Sequence, residues 1–334
     1  MKVSFLLCAY NEEKTIRETL DSILGQTVKP EEIVVVNDGS TDGTAQILEE
    51  YEGRCKVIHL PRNTGSKATA QKRGLKHVTG DILAFTDADT ALDPKFLENG
   101  LPYFIDPLVG GVSGRVLSRK QNWLTSVREI QYLVFQNLCK RGMSVLDSIT
   151  VIPGCAGIIR RKLFQPSLDT LTEDMDITLR TIGMGYRVIY APNVKAYTQD
   201  PSDVKSYVRQ TTRWYSGYFQ NLRKYYPSAP LRVRLQLTLP ILESLLTLLA
   251  VMMILGTLLF SANLVLSPFL FLEVLVVESF AMYGVLKHSR SDLLVQVPTY
   301  FLMRTVDLYV WFKCLLNELI RRKAEHKWLR AERT

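Results

Sequence analysis

In Ile82-Leu83-Ala84-Phe85-Thr86-Asp87-Ala88-Asp89, a short apolar run ends in two carboxylates one residue apart. Such a run, preceded by Gly80, is typical of a buried strand rather than a helix. The carboxylates therefore emerge at the strand's C-terminal end, the edge at which open α/β sheets bind ligands. Asp87 and Asp89 can share a hard divalent cation, Mg²⁺ or Mn²⁺, with phosphate oxygens. A solvated turn or a helix cap is the alternative for this stretch alone.

The surrounding sequence alternates between strand-like and helix-like segments. The predicted strands are Val3–Cys8, Ile33–Val36, Lys56–Leu60 and Leu108–Gly114, and the predicted helices are Glu12–Leu24, a helix ending at Glu50, Ala68–His77, Trp123–Lys140 and Met175–Ile182. This alternation predicts an α/β fold with a mostly parallel, Rossmann-like sheet covered by helices. The glycine fingerprint of dinucleotide sites and the glycine-lysine phosphate loop are both absent from the sequence.

Further carboxylates fall where a ligand would meet this sheet. Asp38 follows the second strand and reaches the same edge, where it would bind a base or a ribose unless it only closes its own turn. Pro153-Gly154-Cys155-Ala156-Gly157 is a small-residue loop that lets backbone approach a ligand closely. Thr172-Glu173-Asp174 opens a helix. Capping explains one acidic residue there, and the other could serve as a general base.

Gln210, Arg213 and Trp214 lie on one face of an amphipathic segment from Val204 to Leu222, since Gln210 precedes the other two by three and four residues. A guanidinium suits a diphosphate, and an indole face suits a sugar ring. Taken alone, these side chains equally indicate a helix that lies at a membrane surface.

Two long apolar runs follow, 235–260 and 265–286. Each reaches the roughly 20 residues that a transmembrane helix needs, and the flanking Lys and Arg residues place both ends in the cytosol. We therefore expect a C-terminal transmembrane hairpin in an integral membrane protein, with the catalytic domain on the cytosolic face of the plasma membrane. Two buried core helices are the alternative, because Glu273 and Glu278 interrupt the second run.

A third apolar stretch, Thr299–Ile320, places Arg304, Asp307, Cys314 and Glu318 on one helical face. This pattern predicts an amphipathic helix in the membrane interface, with a third membrane span as the alternative. The predicted domains are therefore a cytosolic catalytic domain at 1–200, an interfacial region at 201–234, the hairpin at 235–287, and the amphipathic helix with a basic tail at 288–334.

Composition narrows the function classes. The 334 residues carry 41 Lys and Arg against 33 Asp and Glu, a formal net charge of +8. The basic residues crowd around the apolar runs, so anionic lipid explains the charge better than nucleic acid, for which no binding motif is present. Five cysteines without paired spacing indicate neither a zinc site nor a disulfide framework. Met1–Leu7 leads directly into a strand, so no secretory signal is predicted.

Five motifs in one order resemble the family 2 glycosyltransferases, which have the GT-A nucleotide-sugar fold. They are Ala9-Tyr10-Asn11-Glu12, Val36-Asn37-Asp38-Gly39-Ser40, Asp87-Ala88-Asp89, Thr172-Glu173-Asp174 and Gln210-Thr211-Thr212-Arg213-Trp214. The last two resemble the synthases of hyaluronan, chitin, cellulose and poly-N-acetylglucosamine, the bacterial poly-N-acetylglucosamine and hyaluronan enzymes being most similar from Thr172 to Trp214.

The resemblance implies a role for each matching residue. Tyr10, Glu12 and Asp38 would contact uridine, and Asp87 and Asp89 would hold the diphosphate with its Mg²⁺ or Mn²⁺. Asp174 would be the general base beside Glu173 and would deprotonate an acceptor hydroxyl for inverting transfer. Arg213 would stabilise the departing diphosphate, while Gln210 and Trp214 would line the acceptor site.

Departures from the family pattern, and one further match near the C-terminus, bear on these roles. Lys67 lies one residue later than the phosphate-binding lysine of the family, so its phosphate role is open. The polymer-making relatives carry transmembrane helices before the catalytic domain, and two or three membrane segments are few for a polysaccharide channel. Trp328 and Arg333 have the spacing of the synthases' gating segment, although a solvated basic tail is the alternative.

The sequence thus predicts a metal-dependent inverting glycosyltransferase that moves a sugar, UDP-linked by resemblance, to a glycan or lipid-linked acceptor. Predicted partners are the nucleotide sugar, the acceptor and membrane lipids, with a homo-oligomer or a partner membrane subunit left open and no nucleic acid. One alternative is a single-addition enzyme that loads a polyprenyl phosphate. Another is an inactive nucleotide-binding subunit of a synthase complex.

Overall fold

An eight-stranded mixed sheet lies at the centre of the part of the chain that this computed structural model describes, residues 1–119, 121–260 and 267–320. Its strands are β1 (Val3–Ala9), β2 (Glu32–Asn37), β3 (Lys56–His59), β4 (Ile82–Asp87), β5 (Thr90–Leu92), β6 (Val109–Ser118), β7 (Gly157–Arg160) and β8 (Arg187–Thr198). The strand order is β3-β2-β1-β4-β7-β6-β8-β5. β1 pairs in parallel with β2 and β4, whereas β7 runs antiparallel to β4 and β6. The predicted α/β fold with a parallel-dominant sheet is confirmed.

Helices cover this sheet and extend beyond it. They are α1 (Ile16–Leu24), α2 (Thr44–Glu49), α3 (Lys67–Leu75), α4 (Phe96–Gly100), α5 (Trp123–Val134), α6 (Arg141–Val145), α7 (Glu173–Gly183), α8 (Val204–Tyr225), α9 (Leu231–Phe260), α10 (Ser267–Lys287) and α11 (Val297–Leu315). Helices α5, α8, α10 and α11 share a core of their own, in which Val127 and Leu133 meet Tyr207, Ala281 and Met303. We call these four helices and α9 the helical layer.

The central strands are apolar on both faces because both faces are buried. Phe5 and Leu7 of β1 point into one core, and Leu6 points into the other. On β4, Ala84 and Phe85 divide in the same way, as the two-residue period of a strand requires. This arrangement explains the nearly continuous apolar runs of the sequence, which are typical of parallel sheets covered on both sides.

The structure contains elements that were not predicted, and one predicted helix changes its form before its end. Three strands, β5, β7 and β8, were not predicted. The predicted helix Trp123–Lys140 ends as an α-helix at Val134 and continues as a π-helical turn, Phe135–Lys140. This turn brings the Gln136 amide to the edge of β6, where it accepts from Val116 N and donates to Val116 O, each at 2.7 Å. A side chain thus satisfies backbone groups of the strand.

The predicted transmembrane hairpin is wrong. Within the three described ranges, no helix has both the length and the sustained hydropathy that crossing a membrane requires. The expected assignment as an integral membrane protein of the plasma membrane is therefore not upheld. Part of each apolar run is used inside the protein, where Leu237 of α9 joins the core and Ala281 and Val285 of α10 pack against α5.

The polar stripe predicted on 299–320 exists, but it faces protein. Asp307 of α11 accepts hydrogen bonds from Gln131 and Tyr207 at 2.9 and 2.7 Å. Glu318, in the π-helical turn Leu316–Ile320, accepts one from Gln220 at 3.0 Å. The polar residues therefore join helices to one another. Residues 261–266, of which the last two begin the second apolar run, lie outside the described residues, as do Trp328 and Arg333.

One close contact of the sheet predicts a measurable cost. A methyl group at Gly157, the residue of β7 that pairs with Phe85, would lie 2.1 Å from the Phe85 ring. We expect Gly157→Ala to lower the free energy of unfolding by about 1–3 kcal/mol, as overpacked cores generally do, measured by urea denaturation. In a Phe85→Leu background the cost of Gly157→Ala should shrink, and equal costs in both backgrounds would contradict the contact.

Candidate active site

The loops that follow β1 and β2 are fastened to each other at the C-terminal edge of the sheet. Asn11, with a φ of 55°, accepts from Thr41 N at 2.7 Å, and its own N–H donates to Ser40 Oγ at 3.0 Å. Glu12 N donates to Thr44 Oγ1 at 2.7 Å. These bonds bring the first two predicted motifs together, and Cys8 stands opposite Asp87 across the β1–β4 pairing.

Asp38 is buried and supports the next loop. Its carboxylate accepts hydrogen bonds from Thr64 N at 3.0 Å, Thr64 Oγ1 at 2.9 Å and Asn63 Nδ2 at 3.4 Å. Burial raises the pKa of Asp38, and the bonds from Thr64 act against that rise. Asp38 does not merely close its own turn, because it holds the segment that leads into Lys67.

Lys67, at the start of α3, lies between carboxylates of two distant elements. Its ammonium pairs with Asp87 Oδ1 at the end of β4 and lies 3.3 Å from Glu173 Oε1 in the first turn of α7. A methyl group at Gly154 would lie 2.8 Å from Lys67 Nζ and 3.9 Å from an oxygen of each of Asp87 and Asp174. Burial alone would lower the pKa of Lys67, but the carboxylates of Asp87 and Glu173 outweigh it and raise the pKa.

Asp174 sits beside this group with a perturbed acidity. One carboxylate oxygen accepts from Gly154 N at 3.2 Å, and the other accepts from Met175 N at 2.8 Å. Burial and the neighbouring charge of Glu173 raise the pKa of Asp174 to about 6, while Lys67 and the two backbone N–H groups act against the rise. A carboxylate of this basicity is ionised at neutral pH and is a stronger base than an ordinary aspartate.

Asp89 lies deeper than Asp87. Its side chain is buried, and its Oδ1 accepts from the Thr90 hydroxyl at 3.0 Å. Within the described residues no three His, Cys, Asp or Glu side chains come together as a complete metal site. Two carboxylates are nevertheless a donor set that suits Mg²⁺ or Mn²⁺ when substrate phosphate and water complete the coordination.

Gln210, Arg213 and Trp214 of α8 face the same space from the helical layer. Gln210 accepts from the guanidinium of Arg128 on α5 at 3.1 Å, and Arg128 Cζ lies 4.8 Å from the centroid of the Trp214 ring. Helix α8 also reaches the start of α7, because Asn221 Nδ2 donates to Thr172 Oγ1 at 2.9 Å. The helix with the predicted acceptor residues is thus tied to the helix that begins with Glu173 and Asp174.

A cavity of about 660 Å³ lies between the sheet edge and the helical layer. Ten of the predicted site residues line this cavity: Tyr10, Glu12, Asp38, Lys67, Asp87, Glu173, Asp174, Gln210, Arg213 and Trp214. Asp89 is not among the lining residues and lies behind Asp87. Residues remote in sequence therefore share one space of the size that small-molecule sites have.

Sequence reasoning missed polar residues in the same cavity. Arg128 is one. Another is Asp200, which also lines the cavity and accepts a hydrogen bond from the Tyr132 hydroxyl at 3.0 Å. Lys140 is buried beside Ser113, to which it donates at 2.9 Å, and burial lowers its pKa to about 8. Lys140 and Arg128 are the two basic residues of the predicted helix Trp123–Lys140, and the sequence alone does not distinguish them from surface residues.

Comparison with known proteins identifies the family. Residues 4–167 match the family described as Glycosyl transferase family 2. Residues 4–167 therefore form a family 2 glycosyltransferase domain. The resemblance predicted from the five motifs is therefore confirmed, and the class of enzyme is one that uses nucleotide sugars.

Similar curated proteins of this family are poly-beta-1,6-N-acetyl-D-glucosamine synthases. The one from Staphylococcus epidermidis is 28% identical over 228 residues, which make up 64% of this chain and 54% of that protein. The one from Staphylococcus aureus (strain COL) is 27% identical over 266 residues, 76% of this chain and 63% of that protein. The glycosyltransferase thus spans between half and two thirds of the length of these relatives.

Solved structures confirm the GT-A fold. The mannosyltransferase PcManGT from Pyrobaculum calidifontis, in complex with GDP-Man and Mn²⁺, has a TM-score of 0.66 at 21% identity. The match covers 96% of this chain and 88% of the mannosyltransferase chain. S. aureus TarS 1-349, in complex with UDP-GlcNAc, has a TM-score of 0.51 at 20% identity and covers 95% and 91%. At these identities the likeness establishes the fold alone.

Proposed function

We propose that this glycosyltransferase transfers a sugar from a UDP-sugar to a hydroxyl group of a glycan or lipid-linked acceptor, with inversion at the anomeric carbon. The observation that carries the proposal is the meeting of Asp87, Lys67, Glu173 and Asp174 around Gly154, in a cavity that also holds Arg213 and Trp214. In the predicted division of the chain, residues 1–200 bind the donor and residues 201–234 supply the side chains on the acceptor side.

UDP-N-acetylglucosamine is the first donor to test. Two kinds of protein favour it: the curated relatives are poly-N-acetylglucosamine synthases, and TarS has been solved with UDP-GlcNAc. In the proposed complex Tyr10, Glu12 and Asp38 contact the uridine, since all three line the sheet-edge end of the cavity. Asp38 would do so while it continues to support the loop at Thr64.

Asp174 is the proposed general base. Its carboxylate takes the proton of the acceptor hydroxyl, the hydroxyl oxygen forms a bond to the anomeric carbon, and the bond from that carbon to the diphosphate oxygen breaks. The electron pair of the broken bond leaves with UDP. The raised pKa of about 6 supports this role, because it makes the carboxylate a stronger proton acceptor while leaving it ionised at pH 7.

The leaving diphosphate gains negative charge beside carboxylates, so positive groups must be at hand. Arg213 lines the cavity and is the proposed contact to the diphosphate from the helical layer. Lys67 holds Asp87 and Glu173 in place and adds positive charge on the sheet side.

Asp87 and Asp89 are the proposed ligands of Mg²⁺ or Mn²⁺, shared with the donor phosphates. The two carboxylates follow the same strand, and the pair suits a hard cation that keeps water and phosphate oxygens as its other ligands. When bound, such a cation would neutralise part of the diphosphate charge. Asp87 would then be shared between the cation and Lys67.

A donor panel tests the proposal. Purified protein would receive UDP-GlcNAc, UDP-glucose or GDP-mannose with Mn²⁺ or Mg²⁺ and a short N-acetylglucosamine oligosaccharide, and nucleotide release and product size would be measured. We expect release from a UDP-sugar, loss of release on chelation with EDTA, and recovery with excess Mn²⁺ or Mg²⁺. Release that persists fully in EDTA would refute the metal assignment. Polyprenyl phosphate as a parallel acceptor separates the single-addition alternative.

Asp174→Asn should lower kcat by about 10²–10⁴-fold, the usual contribution of a general base, with the KM for the donor essentially unchanged. Asp169→Asn is the matched control, because Asp169 precedes α7 with a side chain that is 76% exposed. The amide should not lower the melting temperature, since it removes a buried charge. If Asp174→Asn retains parental turnover with acceptor present, Asp174 is not the base.

The pH dependence of kcat/KM gives an independent check. Because the base must be ionised, kcat/KM should fall about tenfold per pH unit below a pKa of about 6. Lys67→Met should move this fall to higher pH, since the ammonium acts to lower the pKa of Asp174. Lys72→Met, an exposed lysine on the same helix, is the control and should leave the profile in place. An unchanged profile in Lys67→Met contradicts the coupling.

A further inference from the structure

Arg128 stands out among the groups that the proposed reaction does not use. It is a guanidinium on α5 with 5% of its surface exposed. The carboxylate of Asp200 lies 3.8 Å from its Nε, and its other close neighbours include two amides, a hydroxyl and two aromatic rings. Burying an arginine costs free energy even where a carboxylate lies nearby. The contacts that Arg128 makes indicate its role.

The contacts of Arg128 fall on one face of α8. Its Nη2 donates to Gln210 Oε1 at 3.1 Å and to Thr211 Oγ1 at 3.4 Å. Its Cζ lies 4.2 Å from the ring centroid of Tyr207 and 4.8 Å from that of Trp214. Tyr207, Gln210 and Trp214 are three and four residues apart in turn, so a single guanidinium spans two turns of the helix.

Arginine has donors only, and this fixes the orientation of what it touches. Because Gln210 turns its Oε1 to Arg128, its NH₂ group is directed away from the guanidinium and is kept as a donor. Because the guanidinium covers part of the Trp214 ring, the tilt of the indole is restricted. Gln210 and Trp214 both line the cavity.

Arg128 is itself held from behind. Its Nη1 donates to Gln131 Oε1 at 2.8 Å, and Gln131 Nε2 donates to Asp307 Oδ2 and to the Tyr207 hydroxyl, each at 2.9 Å. Tyr207 donates to Asp307 Oδ1 at 2.7 Å. The guanidinium is therefore placed by three helices, α5, α8 and α11, and not by one flexible side chain.

We propose that Arg128 is a positioning residue that orients Gln210 and Trp214 for the acceptor, and so sets affinity for a sugar acceptor without contributing to donor binding. The assignment of Gln210 and Trp214 to the acceptor rests on the proposed function. The clamp on α8 does not, and it can be tested without turnover.

Arg128→Lys is the central variant, because it keeps the charge but not the fork that reaches Gln210 and Gln131 together. With UDP-GlcNAc as donor and a short N-acetylglucosamine oligosaccharide as acceptor, kcat/KM for the acceptor should fall roughly tenfold or more, as expected for a lost charged hydrogen bond. The donor KM and the slow release of nucleotide to water should not change. Arg160→Lys is the matched control, since Arg160 also donates to several groups, the carbonyls of Val109, Phe104 and Asp106.

Tryptophan fluorescence supplies the arm that needs no acceptor. Arg128→Lys should shift the emission of the protein, and the shift should vanish when Trp214 is replaced by Phe in both backgrounds. Gln131→Leu, which removes one contact of Arg128, should move acceptor kcat/KM and emission in the same direction by less, so the inference can be tested even where Arg128→Lys folds poorly.

Each outcome of these measurements either supports or overturns the inference about Arg128. An emission shift confined to Trp214, together with a loss on the acceptor side alone, supports the inference. An unchanged emission, or equal losses for donor and acceptor, overturns it. If no donor supports transfer in the unmodified protein, the proposed function fails, whereas the emission result still decides the clamp.

Discussion

The ammonium of Lys67 joins two carboxylates from distant elements, Asp87 at the end of β4 and Glu173 in the first turn of α7. Two negative charges repel each other, so the cation between them helps to hold the sheet edge and the helix together. The space that it occupies also explains Gly154, since any side chain there would begin 2.8 Å from Lys67 Nζ. Glycine leaves its N–H free to hold Asp174.

In the proposed reaction, the positive charge of Lys67 is already balanced by carboxylates before the donor binds. Lys67 is already shared between two carboxylates, so it cannot by itself neutralise a diphosphate that brings further negative charge. Two more positive groups are therefore needed, and the chain offers Arg213 on α8 and a carboxylate pair suited to a divalent cation. Burial and the charge of Glu173 raise the pKa of Asp174 above that of an ordinary aspartate, and Lys67 offsets only part of that rise.

The sequence was sufficient where a residue's position follows from its own element. Asp38, Asp87 and Asp174 could be located because buried strands end, and helices begin, at signals that are local in sequence. The phosphate role of Lys67 was left open, and the structure pairs Lys67 with carboxylates. The loop that leads into α3 is held by Asp38, a contact that no local pattern predicts. Arg128 was missed because its role exists only through the pairing of α5 with α8, which no local pattern encodes.

The hydropathy of the apolar runs led to the wrong prediction of a membrane hairpin for a related reason. An apolar run records the composition of a helix but not the surroundings of each face, and periodicity shows that a helix has two faces without showing which one is buried. On α11, buried apolar side chains such as Met303 and Trp311 stand beside a polar stripe that also faces protein, where Gln131 and Tyr207 fix Asp307. Those bonds hold α8 from one side while Asn221 fastens it to Thr172 on the other. These polar contacts between helices thus fix the position of Gln210 and Trp214 relative to the start of α7, because hydrogen bonds are directional and non-specific apolar contacts are not.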